Sequence, residues 1–211
     1  MSDNTTDMDA IDLSALLSSR VCHDLINPVG AISSGLSIID DPSSDETMKE
    51  MADELVRDGT KKALALLSYA RLAYGAAGGH GAEIKLEDVQ EVLAALYDTT
   101  KANLDWQMPN GMLPKNQAKI LLVLAHAAAE AVPRGGDVVI KPTGSGFLLE
   151  VTGKRTFLND EFISALDGDY TDMKPKFTPA YIIGQLARQS NGLVSAVRED
   201  ERIVFKAEFA G

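Results

Sequence analysis

Cysteine occurs once in the 211 residues, at Cys22. No disulfide can form within the chain, which fits a reducing compartment. Aromatic residues make up only 6%, while alanine and leucine abound, and that balance leans toward helix. Cations are outnumbered: 20 Lys and Arg face 31 Asp and Glu, a formal net charge of -11. Nucleic-acid binding needs clustered Lys and Arg, so nucleic acid is not an expected partner. No apolar run approaches the roughly 20 residues that cross a bilayer. The opening MSDNTTDMDAID carries neither the basic start nor the apolar stretch of a secretory signal. A cytoplasmic protein without membrane contact is the expectation.

What the chain does contain is patterned. Hydrophobic residues make up 45%, enough for a core at this length. A helical repeat runs through Leu13, Leu16, Leu17, Val21 and Leu25 to Ile32, Leu36 and Ile39, then stops at DDPSSDE. Ser44 or Asp45 can cap a second helix. That helix spaces Met48, Met51, Leu55, Gly59, Lys62 or Ala63, Leu66, Ala70 and Ala73 close to a coiled-coil seam. Two such helices cannot bury both apolar stripes alone, so a homodimer with a four-helix bundle is expected.

The run GAAGGHGAE reads as a linker between a hairpin at residues 10–77 and a second domain at 82–211. Beyond it, helical patterns at 88–100, 115–132, 159–166 and 179–190 alternate with strand patterns. ANLDWQM reads as a short strand, GGDVVIKPTGSGFLLEVTG as one hairpin, and GLVSAV with RIVFKAEF as another. The fold class expected is therefore α+β, a helical hairpin followed by an α/β sandwich whose sheet is covered on one face by helices.

The unusual stretch is RVCHDLINPVGAI, at 20–32. On a wheel of about 100° per residue, His23 falls opposite the apolar stripe. Arg20, Asn27, Gly30 and Ser34 share its side, so an exposed histidine on a face with small later side chains is expected. Another protein's backbone could approach there. Pro28 costs roughly 3 kcal/mol inside a helix, so its presence calls for a reason. Asp24 can influence the ring's protonation, and Asn27 at i+4 can orient a water or an attacking oxygen. Cys22 is expected to pack rather than react, and His126 to be an isolated core histidine. Asp167, Asp169 and Asp172 resemble a calcium loop but lack its closing Glu, since Thr178 falls there.

HDLINP resembles the phosphoacceptor box of two-component histidine kinases. With the helical hairpin, the resemblance is to their dimerisation and histidine-phosphotransfer domain. It implies an ATP-binding sandwich in the second half, and here the chain departs from the pattern. In LLVLAHAAAEAVPRGG, Leu122 and His126 occupy the places of two metal- and phosphate-binding asparagines. LEVTGKRTFL, around Thr152, lacks the adenine-binding aspartate. KPKFTPAY, around Phe177, lacks the glycine pair that would cradle phosphate.

A phosphoacceptor hairpin joined to an emptied ATPase-like domain resembles the ChpT-type histidine phosphotransferases of alphaproteobacteria, from about Leu13 to Phe209. The resemblance implies a dimer that passes phosphate from a receiver aspartate to His23 and on to another receiver. Donors would be receivers of hybrid histidine kinases, and acceptors cell-cycle response regulators. His23, Asp24 and Asn27 would do the chemistry, and Arg20, Gly30 and Ser34 would meet the receiver. No cofactor or metal is expected on this chain, because Mg²⁺ would come with the receiver. Two alternatives stand beside this reading: an active autokinase with divergent nucleotide motifs, and a module that binds receivers without accepting phosphate.

Overall fold

The computed structural model describes residues 8–75 and 83–210. Helix α1 spans Ala10–Asp40 and α2 spans Glu46–Ala73. Each starts at an aspartate: Asp9 accepts from the Ile11 N–H at 2.8 Å, and Asp45 from the Met48 N–H at 2.9 Å. These caps satisfy backbone donors that the first helical turn leaves free. The two helices form an antiparallel hairpin and approach closely at two glycines. A Cβ on Gly35 would lie 2.6 Å from Val56 Cγ2, and one on Gly59 would lie 2.8 Å from the Pro28 carbonyl oxygen. Pro28 is buried at this crossing.

The expected seam of α2 is split. Gly59, Ala63, Leu66 and Ala73 are buried, whereas Met48, Met51 and Leu55 are exposed. Leu36, expected among the buried positions of α1, is exposed as well. The small residues at the crossing bring the backbones together, and the larger side chains beyond it are left outside.

The sandwich follows as β1 (Glu83–Lys85), α3 (Leu86–Tyr97), β2 (Ala102–Trp106), β3 (Met112–Pro114), α4 (Lys115–Glu130), β4 (Gly136–Thr143) and β5 (Gly146–Thr152). It closes with α5 (Asp160–Asp167), a 3-10 turn at Pro175–Phe177, α6 (Thr178–Gln189), β6 (Gly192–Glu199) and β7 (Arg202–Phe209). Five strands form one sheet in the order β2-β4-β5-β7-β6, parallel only between β2 and β4. β1 and β3 pair separately. Alternate residues of the sheet, including Val138, Ile140, Phe147, Leu149, Ile203 and Phe205, are fully buried beneath the helices. The opposite face carries the ion pairs Lys141–Glu150 and Arg202–Glu150.

Helix α4 is apolar nearly all round, as a helix packed on both sides must be. It lies between α2 and the sheet, with every residue from Ile120 to Ala125 buried. Leu66, Tyr69 and Ala73 of α2 join the same core as the sandwich residues. The linker and expected boundary at 76–82, like the segment before residue 8, lie outside the described residues. Among the described residues, no helix is long and apolar enough to cross a membrane.

Candidate phosphotransfer site

His23 lies mid-way along α1 with 77% of its side chain exposed. Its Nδ1 is 3.7 Å from Asp24 Oδ1. Asn27, Gly30 and Ser34 are exposed on the same face, and a Cβ on Gly30 would meet nothing within 4 Å. Pro28 has no N–H, so the Asp24 carbonyl loses its usual helical donor one turn on.

Arg20 departs from expectation. Placed by the wheel on the exposed face, it is instead only 5% exposed. Nε donates to Asp24 Oδ2 at 2.7 Å, Nη2 to Glu130 Oε1 at 2.8 Å, and Nη1 to the Lys176 carbonyl at 3.4 Å. The wheel describes α1 alone, and the sandwich packs over that part of it. A buried guanidinium needs partners for its charge, and two carboxylates supply them. Burial alone would lower the Arg20 pKa; Glu130 and Asp24 reverse that and raise it, so the group stays charged.

Around this pair the sandwich builds a second wall. Lys62 of α2, Thr99 and Thr100 after α3, and His126 and Glu130 of α4 line a cleft of about 220 Å³ with His23, Asp24 and Asn27. His126 is therefore not an isolated core residue. It is partly exposed, its ring centroid 4.7 Å from that of Tyr69 in an edge-on arrangement. Burial lowers its pKa against the pull of Glu130, which favours the neutral ring. Burial would raise the Glu130 carboxyl, but the His126 ring when protonated and the Arg20 guanidinium outweigh it and hold the group below its usual range. Tyr69 and Tyr74 share a hydroxyl hydrogen bond of 3.0 Å, and burial pushes the Tyr74 phenol up to about 12.

Sequence reasoning missed Glu130 and Lys62. Glu130 falls four residues after His126, so helical spacing could have linked them. The Arg20–Asp24 pair is likewise an i, i+4 pair that the sequence displays. Nothing local to α2 marks Lys62. Cys22, expected to pack, is exposed.

Of the four positions compared above with nucleotide motifs, Leu122 and Phe177 carry apolar side chains, and His126 and Thr152 carry polar ones. Leu122 is fully buried and Phe177 is 4% exposed. The remaining space beside α4, lined by His126, Glu130, Phe157, Phe162 and Phe177 among others, is about 50 Å³. Among the described residues, no group of His, Cys, Asp and Glu is arranged to hold a metal ion. Asp169 instead accepts from the Thr171 backbone N–H at 2.9 Å.

A helical hairpin set on a helix-covered sheet is the architecture of a solved bacterial phosphotransferase. That structure aligns with a TM-score of 0.85 and 32% identity, over 97% of this chain and 99% of its own. The family model described as the histidine phosphotransferase C-terminal domain matches residues 86–202. Protein phosphotransferase ChpT of Brucella abortus (strain 2308) is 34% identical over 95% of this chain and 97% of its own. The chain belongs to the ChpT-type histidine phosphotransferases.

Proposed function

We propose that this phosphotransferase relays phosphoryl groups between receiver-domain aspartates through His23, without ATP. The observation that carries the reading is the exposed His23 ring, with Nδ1 turned to Asp24 and Nε2 left for the incoming group. The Nε2 lone pair attacks phosphorus in line, the bond from phosphorus to the receiver's carboxylate oxygen breaks, and the carboxylate leaves with the electron pair. The proton on Nδ1 stays, so the phosphorylated ring is cationic and Asp24 Oδ1 offsets its charge. The second transfer runs the same steps backward onto another aspartate. Charge on the phosphoryl oxygens would be neutralised by Mg²⁺ held in the receiver's acidic pocket rather than by residues of this chain. Asn27, on the same face, governs water access and hence loss of phosphate.

The bare stretch at Gly30 and Ser34 gives a receiver room to approach the α1 backbone. A nucleotide-free mechanism is supported by Leu122 and Phe177 standing where asparagine and glycine would be needed. The space beside α4 is also small against the roughly 300–1,000 Å³ of small-molecule sites. A homodimer is supported by exposed Ile26, Val29, Leu64 and Leu67 on the hairpin. The cytoplasm, where receivers reside, is the proposed location.

The test is transfer from a phosphorylated receiver to the chain with no ATP present. Wild type should take up label and His23→Gln should take up none, with unchanged thermal stability because the side chain is exposed. Labelling of His23→Gln at the wild-type rate would end the proposal.

A further inference from the structure

A charged connection joins the sandwich to the phosphoacceptor helix, from Glu130 of α4 to Arg20 and from Arg20 to Asp24. We infer that Glu130 is a positioning residue for His23: through Arg20 it fixes the Asp24 carboxylate in the orientation that faces Nδ1. The inference rests on the reading of His23 as the phosphoacceptor.

The geometry is a fork shared between two acids. A guanidinium prefers to place two parallel N–H donors on one carboxylate. Arg20 does not do so here. Nε takes Asp24 Oδ2 at 2.7 Å, while Nη2 is held 2.8 Å from Glu130 and Nη1 reaches the Lys176 carbonyl at 3.4 Å. With Oδ2 engaged, the other oxygen of Asp24 is left 3.7 Å from His23 Nδ1. Without Glu130, a second donor of Arg20 is free to turn onto Asp24. Both oxygens are then drawn toward the guanidinium and away from the imidazole.

Burial makes this arrangement stiff. The Arg20 side chain is 6% exposed and that of Asp24 is 20%, so the guanidinium and its Asp24 partner are largely shut off from water, while the Glu130 side chain, 42% exposed, meets solvent on its outer side. Lys176 contributes a backbone carbonyl from the 3-10 turn, which ties a second part of the sandwich to the same guanidinium. A lysine in place of Arg20 could not span these three acceptors, because its ammonium is a single point of charge. The sandwich, though its nucleotide motifs are gone, thus acts directly on the transfer chemistry.

The experiment is a double-mutant cycle on the full chain, with the transfer rate measured against concentration of phosphorylated receiver. Glu130→Gln should lower the saturating rate on the order of tenfold, as small misplacements of reacting groups do. The half-saturating receiver concentration should stay unchanged. In an Asp24→Asn background, Glu130→Gln should cause no further loss, since its effect passes through that carboxylate. Glu130→Asp keeps the charge but withdraws it from Arg20, and it should show the same dependence on Asp24. A rate for Glu130→Gln equal to wild type would overturn the inference. So would equal losses with Asp24 intact and in the Asp24→Asn background. If His23→Gln is inactive in the same assay, either outcome removes this inference alone; if His23→Gln is labelled, the underlying reading falls instead.

Discussion

At the scale of single residues, the site depends on how two ionisable rings are treated. His23 lies in solvent beside one carboxylate, whereas His126 is packed against Tyr69 and held neutral by burial. The second has a consequence for stability. The folded-state pKa of His126 lies below its ordinary 6.5, so between those values the unfolded chain binds more protons. Stability contributed by neutral His126 is therefore present above about pH 6.5 and is lost as pH falls through the folded-state value. Glu130 acts in the same direction at lower pH, because its folded carboxyl also lies below the ordinary value of 4.5. Urea unfolding of wild type and His126→Gln across pH 7 to 5 should show a flatter profile for the variant. An identical slope in both would contradict the burial argument.

The residue scale is also where the sequence misled. HDLINP and the wheel placed His23, Asn27, Gly30 and Ser34 on one exposed face, as observed. The same wheel put Arg20 there, because it knows nothing of a neighbour 110 residues away. Only the fold brings Glu130 within 2.8 Å of that guanidinium.

Among the elements, the hairpin is set by what α1 and α2 omit. Gly35 and Gly59 face backbone at distances a Cβ could not occupy. Gly30 on the same helix as Gly35 faces open space. Gly59→Ala should gain about 1 kcal/mol of helix propensity. It should lose about 1–3 kcal/mol to overpacking against the Pro28 carbonyl, for a net destabilisation. Gly30→Ala has no such contact and should stabilise by up to about 1 kcal/mol. Thermal denaturation of the two variants separates them, and an equal shift in both would refute the crossing as described. The long helices and both sheet hairpins were legible because their periods persist over seven or more residues. The β1–β3 pair was not, since three-residue strands are too short to show alternation. The seam of α2 was misread for a related reason: Met48 and Met51 match the period, but the close crossing lies further along the helix.

For the whole molecule, the hairpin leaves Ile26, Val29 and Leu36 of α1 and Leu64 and Leu67 of α2 in solvent. The proposed homodimer would cover such residues, and charge on them should prevent it. Light scattering should find wild type at twice the chain mass and Ile26→Glu with Leu67→Glu at the chain mass. A wild-type monomer at micromolar concentration would remove the bundle from the account. The sandwich class could be anticipated from mixed strand and helix patterns, but its packing into one core with α2 could not. Leu66, Tyr69 and Ala73 read as hairpin residues until Ile84, Leu93 and Leu122 are seen beside them in the same cluster.

The central claim is that phosphate resides on His23 during transfer between proteins. The most direct measurement is mapping of the labelled residue after incubation with a phosphorylated receiver in the absence of ATP. The label should be alkali-stable, acid-labile and confined to the peptide carrying His23. Label on a peptide carrying His126, or label that forms only when ATP is added, would contradict it.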